Sequence, residues 1–110
     1  MAKDTVGGFE LHVLLAVIRL GDNEYGVPIS DTIEEASGRE VAAGSIYVTL
    51  ERLEAKGLVT SRRGESTPER GGRAKTYYQI TGKGMRAVRQ AQRTLVKLWT
   101  GVPRLEGGTA

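Results

Sequence analysis

The chain contains no cysteine, which excludes disulfides and thiolate metal sites. His12 is its only histidine, so the usual imidazole clusters for metals are excluded and a Ser-His-Asp arrangement is a poor expectation. No glycine-rich phosphate loop follows a predicted strand. The one glycine and lysine cluster, GGRAK, precedes a strand instead. An enzyme is therefore not expected, and neither is a cofactor or metal. Aromatic residues are sparse, at 5% of the chain. An RNA-binding sheet built on exposed aromatics would have only Tyr77 in its support. No apolar run approaches the roughly 20 residues that a membrane span needs. The opening residues, MAKDTVGG, hold no signal-like apolar segment. A soluble, cytoplasmic protein is the expectation.

What is present fits one small unit. The chain has 110 residues, 39% of them hydrophobic, which allows a modest core that leans on a partner subunit. The net charge is only +3, yet it is unevenly placed: residues 1–40 hold eight acids and three bases, and residues 41–110 hold five acids and thirteen bases. A basic C-terminal part suggests a polyanion as partner, with the acidic part turned away from it.

Phe9 to Leu20 predicts a first helix with two apolar stripes. Leu11, Leu14, Leu15 and Ile18 form one; Phe9, Val13, Val17 and Leu20 form the other. A surface helix normally buries one stripe, so two imply burial by the core and by another chain. A turn at Gly21-Asp22-Asn23 leads to a second helix from about Val27 to Ser37. Pro28 lies in its first turn, Ile29, Ile33 and Ala36 form its buried edge, and Asp31, Glu34 and Glu35 make its outside acidic. Arg39-Glu40-Val41 reads as extended, a short edge strand.

Ala43 to Gly57, AGSIYVTLERLEAKG, predicts a third helix with two unlike faces. Ile46, Leu50 and Leu53 fall at i, i+4 and i+7 and form a buried stripe. Gly44, Ser45, Val48, Thr49 and Arg52 lie elsewhere on the cylinder, with Tyr47 at the margin. They are small, hydroxylic or basic, and such a face can enter a groove and touch base edges and phosphates. Taken alone, the pattern is more often that of an ordinary amphipathic helix with a polar outside. Ala42 and Ala43 stand where a capping side chain would be, leaving the first N–H groups to an external phosphate or to water. Gly57 is placed to stop the helix.

Leu58 to Arg63 and Ala74 to Ile80 read as strands flanking a tip, GESTPERGGR. Arg62, Arg63, Arg70, Arg73 and Lys75 surround that tip, and a basic β-ribbon suits a nucleic-acid backbone. Thr81 is an N-cap candidate for a last helix from about Lys83 to Thr100. Met85, Val88, Leu95 and Trp99 follow a 3–4 spacing there, opposite Arg86, Arg89, Arg93 and Lys97. Such a seam reads as a dimerisation helix; packing back onto its own domain is the alternative. The predicted fold is mainly α with a small β-hairpin, a winged helix-turn-helix with an added C-terminal dimerisation helix. Its expected divisions are a DNA-binding unit over 1–81, the dimerisation helix over 82–100 and a flexible tail over 101–110.

GDNEYGVPI, GREVAAGSIYVTLERLEAKGLV and GGRAKTYYQITGKG together resemble the PadR family of bacterial transcriptional regulators, over roughly Leu11 to Trp99. The shared marks are Gly44-Ser45-Ile46-Tyr47 opening the third helix, the run from Leu50 to Leu58, and the stretch from Gly72 to Gly84. The short C-terminal segment resembles the family's compact subgroup. Val48 stands where the family often has Pro, and Ala42 where it often has Ser. The resemblance implies a homodimer on a near-palindromic operator, usually as a repressor, with recognition helices in major grooves about 34 Å apart.

Gly44, Ser45, Tyr47, Thr49 and Arg52 are then the candidate reading surface. Arg62, Arg63, Arg70, Arg73, Lys75 and Tyr77 are the candidate wing contacts. Phe9, Val13, Val17, Met85, Val88, Leu95 and Trp99 are the candidate dimer interface. Some relatives take flat aromatic compounds into an apolar cavity at that interface. By that resemblance Phe9, Val13 and Trp99 are candidate effector contacts, the alternative being that Trp99 simply fills the dimer core. The competing function is a winged-helix module for protein–protein contact without sequence-specific DNA binding.

Overall fold

Apolar spacing dictates the helical core. The computed structural model describes residues 6–21, 26–64 and 76–103. The elements run in the order α1 (Gly8–Leu20), α2 (Gly26–Ser37), α3 (Ala43–Ala55), β1 (Val59–Arg63), β2 (Thr76–Ile80) and α4 (Gly82–Thr100). The strands form one antiparallel pair, with Val59 opposite Ile80 and Arg63 opposite Thr76. Three helices followed by a hairpin are the winged arrangement the sequence predicts. The hairpin tip, including Arg70, Arg73 and Lys75, lies outside the described residues.

The core is made by Val13, Leu14 and Val17 of α1, Ile29 and Ile33 of α2, Ile46, Leu50 and Leu53 of α3, Leu58 and Val59, Tyr78 of β2 and Val88 of α4. Each fully buried aliphatic side chain here stabilises the fold by about 1.5–3 kcal/mol. In α1 the two predicted stripes are divided differently. Val13 and Val17 are completely or almost completely covered within their own chain, so neither is free to form a dimer surface. Glu10, Val13, Leu14, Ala16 and Val17 share the inward arc. Leu11, Leu15 and Ile18 occupy the next arc round the cylinder, and Leu15 is 46% exposed. Both arcs are apolar, and periodicity alone does not say which one meets the chain's own core. In α2, Ile29 and Ile33 are buried as expected while Ala36 is exposed.

Arg39-Glu40-Val41 forms no strand. The backbone of Val41 is held by side chains of α2 instead: its N–H donates to Glu34 Oε2 at 2.6 Å, and its carbonyl accepts from Ser30 Oγ at 3.2 Å. With both of its backbone groups held by α2, Val41 is not part of a ladder. Glu34, expected as part of an acidic outer surface, thus turns back onto the chain.

The end of α3 follows from one residue. Gly57 has φ 79°, the left-handed region that glycine enters without a Cβ penalty. Its N–H bonds to the Glu54 carbonyl, and the Leu58 N–H to the Leu53 carbonyl, both at 2.9 Å. Leu53 and Leu58 are both fully buried, completing a Schellman turn that aims the chain from α3 into β1.

Thr81 then starts α4 and braces α3. Its hydroxyl accepts from the Gly84 N–H at 2.9 Å and donates to the Gly57 carbonyl at 2.8 Å. A side chain at Gly84 would collide with the Leu58 carbonyl oxygen and lie 2.8 Å from Ile80 Cγ1, so α4 docks here only because position 84 has no Cβ. Gly84 and Val88 are the buried residues of this helix. Beyond them, Leu95, Val96, Leu98 and Trp99 are exposed.

Candidate nucleic-acid interface

The buried stripe of α3 determines its outer face. Because Ile46, Leu50 and Leu53 point inward, the opposite line at helical spacing is Gly44, Val48, Glu51 and Ala55, all exposed. Ser45 and Arg52 flank this line on one side and Tyr47 on the other, and all three are exposed. Thr49 is not among them. It is 4% exposed, next to the inward stripe, and as placed cannot reach a base edge. Its position on the wheel lies only one step from Leu53, so the core takes it.

Two residues of this face are more central than the sequence reading allows. Val48 is 54% exposed in the middle of the outer line, where its methyl groups suit a thymine methyl. Glu51, one turn on, puts a carboxylate on the same face, of the kind that accepts from cytosine N4. The signal was available: residues opposite an i, i+4, i+7 stripe share one line.

The N-terminus of α3 is open. Ala42 is the cap residue in an extended conformation, no side chain caps it, and the first turn holds no acid. The Ala42 carbonyl takes the N–H groups of Ser45 and Ile46, at 3.0 and 3.3 Å. The positive end of a helix dipole with no acid in its first turn favours an anion.

On the ribbon, Arg62 and Arg63 are exposed on β1. Arg62 faces Tyr77 across the ladder, and its guanidinium lies 5.0 Å from that ring's centroid. This cation–π contact makes Tyr77 a brace for the ribbon. Glu54 of α3 accepts from the Ser61 hydroxyl of β1 at 2.7 Å, fastening the ribbon to the helix. Burial, then the nearby Glu54, Tyr47 and Glu51, pushes the Tyr78 hydroxyl up, so it remains a neutral part of the packing under α3.

A carboxylate that the sequence reading passed over lies at the far end. Glu10 in the first turn of α1 is 7% exposed. It accepts from the Gly7 N–H at 2.8 Å and pairs with Lys56. Burial pushes its carboxyl up, but the Gly7 N–H, the Lys56 hydrogen bond and the charges of Lys56 and Arg52 together outweigh this and hold it below its ordinary value of 4.5. A Gly-x-x-Glu cap is visible locally; a lysine 46 positions away is not.

The apolar residues proposed for pairing fall into two groups. Val13 and Val17 belong to the core, and Val88, 9% exposed, packs against it. Leu95 and Trp99 stand out from the fold, at 48% and 53% exposure, and Met85 is half-buried. Leu11, Leu15, Val88, Leu95, Val96 and Trp99 line an open groove of about 430 Å³ between α1 and α4. The effector trio is not brought together. Val13 is inside the core, and Phe9 lines a different depression with His12, Ile33 and Val41; Leu11 and Leu15 are the α1 residues that share the groove with Trp99. No helix among the described residues is long and apolar enough to cross a membrane.

The model of the transcriptional regulator PadR-like family matches residues 14–90. Solved structures with the same fold include a transcriptional regulator from Clostridium thermocellum, 25% identical, with TM-score 0.71 over 88% of this chain and 91% of that one. A PadR family regulator from Eggerthella lenta is 26% identical, with TM-score 0.69 over 90% and 88%. A PadR-like regulator from Bacillus cereus is 25% identical, with TM-score 0.70 over 91% and 92%. No curated protein matches the chain.

Proposed function

This chain belongs to the PadR-like family of transcriptional regulators, and from that premise we propose that it acts in the cytoplasm as a homodimeric repressor on a near-palindromic operator. The observation that carries this reading is the outer face of α3: an uncapped, acid-free N-terminus followed by exposed Gly44, Ser45, Tyr47 and Val48, beside the basic strand β1. Ser45, Tyr47, Val48 and Arg52 read the major groove or hold its phosphates, and the α3 N-terminus takes a phosphate. Arg62 and Arg63, with Arg70, Arg73 and Lys75 of the tip, bind backbone and give affinity without sequence preference. On this reading residues 1–81 bind DNA and 82–100 pair the subunits.

Pairing is supported by the groove between α1 and α4. Leu15, Leu95 and Trp99 are too exposed to be finished surfaces of an isolated chain. A second copy that lays the same face against them covers both grooves at once. The indole of Trp99 in that covered groove is a stacking surface for a planar aromatic effector, with Leu11 and Leu15 as its neighbours.

Selection of bound duplexes from a random pool, read by sequencing, tests the reading. The expected result is a two-fold symmetric motif, bound with an affinity that falls steeply as salt rises. A protein that stays a single chain at micromolar concentration and enriches no motif is instead a protein-binding winged helix.

A further inference from the structure

The C-terminal end of α3 is where polar contacts join three helices. Lys56 is its cap residue, and its ammonium reaches back to α1, meeting the two carboxylate oxygens of Glu10 at 2.9 and 3.0 Å. That carboxylate is itself held by the first turn of α1 through the Gly7 N–H. The backbone at the end of α3 is held by Lys83 of α4 and by Thr81, the cap residue of that helix. The Lys56 carbonyl accepts from the Lys83 ammonium at 3.0 Å, and the next carbonyl, of Gly57, accepts from the Thr81 hydroxyl. α1 and α4 are also the helices whose outer residues line the exposed groove. Apolar packing sets how closely α3 approaches them but is non-directional. A lysine shared between two carboxylate oxygens, and two carbonyl bonds, have direction.

We propose that Lys56, tied to Glu10 of α1 and flanked by Lys83 of α4, is a positioning residue that sets the angle of α3 against the paired surface and so determines the half-site spacing the dimer accepts. This rests on the dimeric, DNA-reading function proposed above. Lys56 itself acts from a distance, because the first turn of α3 is about 20 Å away along the helix axis. A small rotation at the cap is therefore magnified at the reading end. Two rigidly spaced readers gain from engaging both half-sites only while their separation matches the duplex.

The test uses the full chain and the selected motif, as duplexes with one half-site and with two half-sites over spacings two base pairs shorter to two longer. Wild type is expected to prefer one spacing sharply. Lys56→Met should keep its one-site affinity within about twofold and lose roughly tenfold at the preferred spacing, part of the about 10²–10⁴-fold gain that double engagement brings. Lys56→Arg, which keeps the cation, should restore the preference, and Lys83→Met should flatten it less. A Lys56→Met profile like that of wild type, or an equal loss on one-site and two-site duplexes, overturns the proposal. Should Lys56→Met not fold, as read by circular dichroism, the exposed Lys83→Met decides, and an unchanged profile overturns it. Wild type that enriches no two-fold motif removes the dimeric reading and this inference with it. Sharp wild-type spacing with unaltered variants removes this inference alone.

Discussion

The two halves of α4 were built for different neighbours. The first half is closed within the chain: Thr81 caps it, Gly84 lets it lie against the Leu58 carbonyl, and Val88 reaches the core. The second half carries Leu95, Val96, Leu98 and Trp99 in the open. Both halves belong to one continuous helix, so the difference is not one of secondary structure. It lies in what the rest of the chain is large enough to cover. A fold of this size runs out of core before the helix ends, and the remaining apolar stripe is left for something else.

The largest effect is expected in the closed half of α4. Gly84→Ala places a methyl group against backbone that has no room to move. It is expected to cost about 3 kcal/mol and to lower the melting temperature by roughly 10 °C or more, measured by circular dichroism. A melting curve close to wild type would mean that α4 is not held at this point. Next comes Glu10→Gln, which leaves Lys56 without its carboxylate partner and should cost about 2 kcal/mol at neutral pH.

Its pH dependence has a definite sign. The folded carboxyl titrates below its ordinary value of 4.5, so its contribution is complete above that value and is lost as pH falls through the lowered one. The acid limb of a stability profile should accordingly be steeper for wild type than for Glu10→Gln. Parallel limbs would remove the ion pair from the account.

Two smaller effects sharpen the contrast. Ala42→Asp supplies the missing cap of α3 and should stabilise the fold by about 1 kcal/mol, while its carboxylate at the helix N-terminus weakens binding to DNA. Stabilisation with unchanged DNA affinity would take the phosphate away from that N-terminus. Leu95→Glu should alter the stability of the separate chain by no more than about 0.5 kcal/mol, yet convert the proposed dimer to a monomer in analytical ultracentrifugation. A dimer that survives it pairs through some other surface.

Much of this was legible because short-range physics governs it. The stripe of Ile46, Leu50 and Leu53, the stop at Gly57, the Thr81 cap and the strand that ends at Ile80 each depend on residues a few positions apart. Other features had no local signal. Val13 and Val17 were expected at a dimer surface because α1 is apolar on two arcs, and only the packed fold decides that they face inward while Leu15 faces out. Thr49 looked available because it is polar, but it sits one step from Leu53 and is covered. Phe9 and Val13 were grouped with Trp99 on character, and the helices send the three to different places.

By itself, the sequence determined the order of the four helices and the hairpin, the inward stripe of the third helix, and membership of a regulator family through three joint stretches. These rest on periodicity, capping chemistry and residue types, which act over one or two turns. Tertiary structure alone decided which apolar arc of α1 is spent on the core, that Val41 is held by α2 rather than by a strand, and that Lys56 meets Glu10. Those outcomes depend on surfaces brought together from distant positions, where packing and the need to satisfy buried polar groups choose among arrangements that local sequence leaves equivalent.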